Sequence, residues 1–429
     1  MEKELQAFRE RARDLDRQDP LRRFRRRFHV PKGAIYLDGN SLGLLSVDAE
    51  TALQKALRSW RDLGIRGWLE ADPPWFYIAE NLGAQCARLV GASPDEVVMS
   101  GTTTVNIHAL GATFYQPAGR RTKIVADELD FPTDIYALKS LIRLRGLDPA
   151  EHLILVESRD GRTLDEKAIV ERFDDTVAMA FLPSVLYRSG QLLDLEFLTR
   201  GAHEKGAVIG FDCSHSVGAV PHEFDRWGVD FALWCSYKYL NGGPGATAFL
   251  YVNRAHFERG PALAGWFGSV KERQFDMSLD FEPARSAGGW QISSPSILSA
   301  APLVGSLAIL QEAGIDAVRS KSLQMTSFLI EMTDELLAPE PYGFSVGTPR
   351  EDARRGGHVA LCHPEGLRIA EALRARGVVP DFRPPDIIRI APVALYNTHA
   401  ELWTLVRHLR EIVDAGDYER FPAERKPIS

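Results

Sequence analysis

Cysteine is scarce in this 429-residue chain: Cys86, Cys213, Cys235 and Cys362 stand far apart, and no C-x-x-C occurs. That excludes a zinc-finger or disulfide framework and suits a reducing compartment. Long apolar runs are also missing. The longest, Val177 to Leu186, is about half the length of a membrane span and contains Pro183, so no membrane partner is expected. The first residues mix Glu2, Glu4, Glu10 and Asp14 with basic side chains and offer no apolar signal core, which leads us to expect a cytoplasmic protein. Nor is there an excess of positive charge. Lys plus Arg number 51 against 58 Asp plus Glu, a net charge of −7, so the surface as a whole does not advertise nucleic acid as a partner.

What is present is the composition of a globular enzyme, 45% hydrophobic and 25% charged. A chain of this length buries a large core without metal or disulfide staples. One segment breaks the acidic balance: Arg22, Arg23, Arg25, Arg26 and Arg27 fall together, beside Phe24 and Phe28. A nucleic-acid arm is one reading. A solvated helix end or a partner-contacting arm is the plainer one, favoured because nothing else in the chain belongs to a nucleic-acid module.

From about residue 96, short apolar runs alternate with helical patterns. The runs 96–99, 123–126, 153–156, 177–181, 207–211, 231–234 and 248–252 read as buried strands. Residues 105–114, 134–144, 164–173 and 195–205 read as helices. That alternation predicts an α/β fold with a mostly parallel, seven-stranded sheet covered on both faces. After residue 300 the pattern changes to a long helical stretch, 299–337, broken around Gly314. Short strands follow at 358–362 and 387–390, with helices at 367–376 and 399–415, the last capped by Thr398. The expected organisation is an N-terminal arm over 1–60, a large domain over 61–300 and a smaller C-terminal α+β domain over 301–429.

In such sheets ligands gather at the carboxyl ends of strands. After the run 96–99 comes Ser100-Gly101-Thr102-Thr103-Thr104 at a helix start, which is either a phosphate cradle or ordinary capping. After the run 207–211 comes Asp212, followed by Cys213, Ser214 and His215. Asp212, Cys213 and His215 as metal ligands would be cramped, and no second cluster completes a shell, so no metal is expected. After the run 231–234 comes Tyr237-Lys238, beside the Gly-rich stretch 242–245. A lone lysine there would ordinarily snorkel to water. Together the three features are the parts that hold pyridoxal phosphate: a helix start for the phosphate, Asp212 for the pyridinium nitrogen and Lys238 for the imine. Phe131 could stack on the ring. A competing motif, Gly39-Asn40-Ser41-Leu42-Gly43, matches a serine-hydrolase elbow, but no series of strands precedes it and the next helix starts later, around Ser46-Val47-Asp48.

Over nearly its whole length the chain resembles the kynureninase family of fold type I pyridoxal-phosphate enzymes. The resemblance is carried by Tyr36-Leu-Asp-Gly-Asn-Ser-Leu-Gly-Leu44, Thr104-Val-Asn-Ile-His108, Asp130-Phe-Pro-Thr-Asp134 and Phe211-Asp-Cys-Ser-His-Ser-Val-Gly218. It continues through the very specific Trp234-Cys-Ser-Tyr-Lys-Tyr-Leu-Asn241, Gly265-Trp-Phe-Gly268, Ile292-Ser-Ser-Pro295 and Arg389-Ile-Ala-Pro-Val-Ala-Leu-Tyr-Asn397. Relatives commonly have Asn or Thr where Ser294 stands, some have a hydroxyl residue where Pro183 stands, and Trp68 follows the bacterial rather than the animal pattern.

The resemblance implies hydrolysis of L-kynurenine, or its 3-hydroxy form, to anthranilate (or 3-hydroxyanthranilate) and L-alanine in tryptophan catabolism. It implies Lys238 as the Schiff-base lysine and general base, Asp212 as the pyridinium partner and Tyr237 as a proton relay that also touches the phosphate. Thr103 and Thr104 match phosphate-binding positions, Phe131 the stacking ring, and Asp134 and His215 further cofactor contacts. Trp266 and Ser294 match residues that reach the cofactor from a second subunit, implying a homodimer with the active site at its interface. Arg389 matches the substrate-carboxylate clamp, and Ser41 and Trp68 line the substrate pocket.

Overall fold

The computed structural model describes residues 2–424. The seven apolar runs form one sheet, in the spatial order Val97–Met99, Phe249–Val252, Phe231–Trp234, Val208–Asp212, Val177–Pro183, Lys123–Asp127 and Leu153–Val156. Phe249–Val252 is antiparallel to both its neighbours, and the remaining pairs are parallel. The neighbouring strands Phe231–Trp234 and Phe249–Val252 are buried at every position, which explains their unbroken apolar sequences. Because these two are antiparallel, they need no crossover helix. The loop that joins them, 235–248, is left free to carry Lys238.

Helices Thr103–Phe114, Pro132–Leu144 and Leu195–Glu204 lie close to where periodicity places them. The helix expected over 164–173 is shorter, Glu166–Val170. Asp165 caps its start, and beyond Val170 the chain tightens into i→i+3 turns, Arg172 N–H to the Ile169 carbonyl and Phe173 N–H to that of Val170. Register then aligns the strand ends. Pro183 pairs with Asp212 and Asp212 with Leu233, so neighbouring carboxyl ends form one edge.

The long helical stretch breaks at Gly314, whose φ is 78°, into Ile297–Ala313 and Ile315–Leu336, bent by 78°. No single helix among the described residues is long and apolar enough to cross a membrane. An antiparallel sheet follows, ordered Asp381–Arg383, Ile387–Ile390, Val359–Cys362 and Ser345–Val346. Helix His399–Asp414 opens on a reciprocal cap. Thr398 Oγ1 accepts the Glu401 N–H while the Glu401 carboxylate accepts that of Thr398, an arrangement worth about 1 kcal/mol.

There are two principal apolar cores. One surrounds the large sheet and takes in Leu303 and Leu307; the other contains Met325, Leu329, Ile388 and Leu405, and with them Phe8 and Leu37. The N-terminal helix Glu2–Gln18 therefore packs against the C-terminal core, where the Trp403 indole donates to the Leu5 carbonyl at 2.9 Å and the His399 N–H to Asp16 at 2.7 Å. The arginine-rich segment is a short 3₁₀ turn pinned by buried Phe24. Arg25 pairs with Glu401 and the Tyr396 carbonyl, and Arg27 with Asp48 and Glu312, while Arg22 and Arg26 are solvated. The segment braces other parts of its own chain.

Candidate active site

A cavity of ≈ 290 Å³ opens at the carboxyl edge of the large sheet. Ser41, Thr103, Thr104, Phe131, Asp212, His215, Tyr237, Lys238 and Arg389 line it, nine residues singled out from the sequence. Thr103 and Thr104 start their helix after a turn through Gly101 (φ 53°), and this turn is held by Asn106, whose amide donates to the Ser100 carbonyl at 2.8 Å. The first-turn N–H groups of that helix have no helical partners of their own. Phe131, 45% exposed, sits edge-on to Tyr187 at a centroid distance of 5.3 Å. Asp212 ends its strand and accepts the Ser214 N–H at 2.7 Å.

Lys238 Nζ lies 2.8 Å from His215 Nε2. Burial first, and then the Lys238 charge, push the His215 pKa well below its ordinary value, so the imidazole is neutral and its Nε2 accepts from the amine. Its Nδ1 is buried with no partner. Tyr237 keeps its proton, because burial raises its pKa and Cys235 adds to the rise. Arg389 is 1% exposed. It donates to Asp381 at 2.5 Å, to the Tyr187 carbonyl at 2.6 Å and to Ser41 at 2.9 Å. Burial lowers the Arg389 pKa and Asp381 pulls it back up.

Asp134 is not among the lining residues. It is fully buried behind the wall, its carboxyl pushed well above the usual range by burial and then by the Asp212 charge. Trp68, Trp266 and Ser294 are also not among the residues that line the cavity. Trp68 packs on Trp75 and Phe267, at centroid distances of 6.1 and 5.7 Å. Trp266 is 50% exposed beside Phe267, and Ser294 is exposed.

The residues Asn40, Thr133, Tyr187, Ser214 and Arg383 line the cavity without having been picked out. Thr133 sits inside the Asp130–Asp134 motif and Ser214 directly follows Asp212–Cys213. Tyr187 follows a strand end, a position that strand-end reasoning could have flagged, whereas Arg383 carries no local signal.

The Gly-x-Ser-x-Gly stretch has a packing explanation. A Cβ on Gly43 would lie 2.3 Å from the Lys238 carbonyl oxygen, and one on Gly39 would lie 2.4 Å from the Tyr396 hydroxyl. Ser41 hydrogen-bonds Arg389 rather than a base. No group of three His, Cys, Asp or Glu among the described residues is arranged to hold a metal.

The residues present fit pyridoxal phosphate. An amine, a strand-end carboxylate and a hydroxyl-bearing helix start face one cavity. Asn40, wholly buried in its wall, leaves both side-chain polar atoms unpartnered, as a site built for a polar ligand would.

Comparisons with known proteins agree. A family model described as "Kynureninase C-terminal domain" matches residues 318–409. The kynureninase of Geobacillus thermodenitrificans (strain NG80-2) is 54% identical over 418 residues, 97% of each chain. Among solved structures, the cysteine desulfurase of Thermococcus onnurineus NA1 superposes with a TM-score of 0.79 at 19% identity, covering 93% of this chain and 99% of its own. A C-DES mutant with glycine covalently linked to its PLP cofactor gives 0.77 at 16% identity, covering 90% and 98%. At those identities the structural likeness speaks for the fold, that of the fold type I pyridoxal-phosphate enzymes, while the sequence likeness speaks for the family. With Lys238, Asp212 and Arg389 gathered around one cavity and identity above half along nearly the whole chain, this protein belongs to the kynureninase family of pyridoxal-phosphate enzymes.

Proposed function

We propose that this cavity hydrolyses L-kynurenine to anthranilate and L-alanine, with Lys238, Asp212 and Arg389 as its principal groups. The observation that carries the reading is Lys238 Nζ set 2.8 Å from a neutral imidazole in the same cavity as Arg389 and the Thr103–Thr104 helix start. Bound there, pyridoxal phosphate supplies an electron sink for a carbanion at the substrate α-carbon. Thr103, Thr104 and the free helix N–H groups would hold its phosphate, and Phe131 would pack against its ring. Asp212 would keep a proton on the ring nitrogen, Asp134 would support Asp212 from behind, and His215 would orient Lys238. Lys238 Nζ would take the α-proton of the substrate. The protonated Tyr237 hydroxyl would deliver a proton to Cβ as water adds to the γ-carbonyl carbon and the Cβ–Cγ bond breaks, leaving the acyl part as anthranilate. Arg389 receives the α-carboxylate beside Ser41.

A cysteine-based reaction is disfavoured, because all four cysteines are buried and none lines the cavity. Their free, unpaired state supports a cytoplasmic location. The exposed apolar residues Trp266, Phe275, Met277 and Leu279 cluster on one surface, which supports a homodimer in which Trp266 and Ser294 reach the neighbouring cavity and Trp68 joins them at the rim. The two cores support a large domain to about residue 300 and a small one beyond it, with helix Ile297–Ala313 crossing that line.

Lys238→Ala tests the central assignment. It should lower turnover of L-kynurenine by at least about 10³-fold while the fold persists by circular dichroism. Turnover within about tenfold of wild type would remove Lys238 from the chemistry.

A further inference from the structure

Asp381 and Arg389 are directly opposed in an antiparallel ladder, so their side chains leave the sheet on one face. Arg383, two residues beyond Asp381, shares that face and lines the cavity. Asp381 Oδ2 accepts from the Nε of both arginines, at 2.5 Å from Arg389 and 2.8 Å from Arg383. Asp381 and Arg389 are almost wholly buried, 2% and 1% exposed. A buried guanidinium is tolerated only when a carboxylate or equivalent partners compensate it, and of Arg389's three partners only Asp381 is charged.

A guanidinium has five N–H groups. Arg389 spends its Nε–H on Asp381, one Nη1–H on the Tyr187 carbonyl and one Nη2–H on Ser41. One N–H remains on each terminal nitrogen, the pair that a carboxylate engages when it binds in bidentate fashion. The long arginine stem would otherwise lose its rotamer freedom at the moment of binding, a loss that fixing it beforehand removes.

We propose that Asp381 is a positioning residue for carboxylate recognition: it locks Arg389 so that its two remaining N–H groups are preset for the α-carboxylate of an amino-acid substrate, with Arg383 sharing Asp381 from the other side. The inference rests on the reading of Arg389 as the carboxylate clamp.

The test uses cofactor-loaded wild type, Asp381→Asn and Arg389→Gln. Each is measured for kcat and KM with L-kynurenine, and for binding of L-alanine and L-alaninamide through the change in cofactor absorbance. Asparagine keeps the shape and one acceptor but loses the charge. Asp381→Asn should raise KM about 10- to 100-fold with kcat within about threefold, and weaken L-alanine to a similar degree while leaving L-alaninamide within about twofold. An unchanged KM, or equal weakening of both ligands, overturns the proposal. If Arg389→Gln leaves the preference for L-alanine intact, the clamp reading itself falls. If Arg389→Gln abolishes that preference and Asp381→Asn keeps it, only the role of Asp381 falls. Should Asp381→Asn not fold, Asp381→Glu keeps the charge but shifts it by one methylene. A carboxylate-selective loss is then expected, and wild-type KM contradicts it.

Discussion

Lys238 stands against an imidazole that burial keeps neutral, and the same reasoning about protons explains the residues around it. His215 can accept from the amine only because burial keeps its ring from carrying both protons. A second polar knot, away from the cavity, shows the opposite balance. Burial would raise Asp230, but hydrogen bonds from His203, His256 and the Ile209 N–H outweigh it and hold the carboxyl below its ordinary value. The same bond to Asp230 raises His203. A depressed carboxyl adds stability above its unfolded pKa and loses it as pH falls through the folded value. A raised imidazole adds stability below its unfolded pKa and loses it as pH rises through the folded one. Both contributions are present between about pH 4 and pH 6.5. Asp230→Asn should therefore lower Tm most in that window and less on either side. Melting curves of both proteins across pH check this, and a loss independent of pH would contradict it.

Elements whose identity is decided locally were legible in the sequence. The strands of the large sheet are mostly buried, so their sequences are largely apolar, with charged residues only at strand ends such as Lys123, Asp127 and Asp212, and the break at Gly314 follows from a glycine at φ 78°. Strand-end logic found Asp212 and Lys238 because register aligns the carboxyl ends at one edge. Elements decided by distant partners were not legible. Ile35–Tyr36 is a two-residue strand that exists only through its pairing with Val378–Val379. The N-terminal helix gives no local sign that it docks on the C-terminal core. Arg383 and Asp381 acquire their meaning from a cross-strand register that periodicity does not reveal. Trp68 came with the motif resemblance, yet its ring packs on Trp75 and Phe267 away from the cavity. The glycines at 39 and 43 suggested a hydrolase elbow, whereas the contacts their Cβ atoms would make are with Tyr396 and Lys238.

At the scale of the whole molecule, the chain brings nine of the expected residues to the cavity and leaves Trp266 and Ser294 on its surface. A site shared between subunits predicts complementation. Lys238→Ala and Trp266→Ala proteins, each inactive alone, should recover about a quarter of wild-type activity after unfolding and refolding as an equal mixture, because half the dimers are mixed and each of those carries one intact site. No recovery would place Trp266 outside the site. The most direct test of the whole account is an absorbance spectrum of the purified protein loaded with pyridoxal phosphate, followed by addition of L-kynurenine. The account predicts a band at the violet edge of the visible range that borohydride abolishes, and anthranilate fluorescence rising as L-alanine accumulates in equal amount. A protein that takes up no pyridoxal phosphate, or that binds it and releases no anthranilate from L-kynurenine, would contradict it.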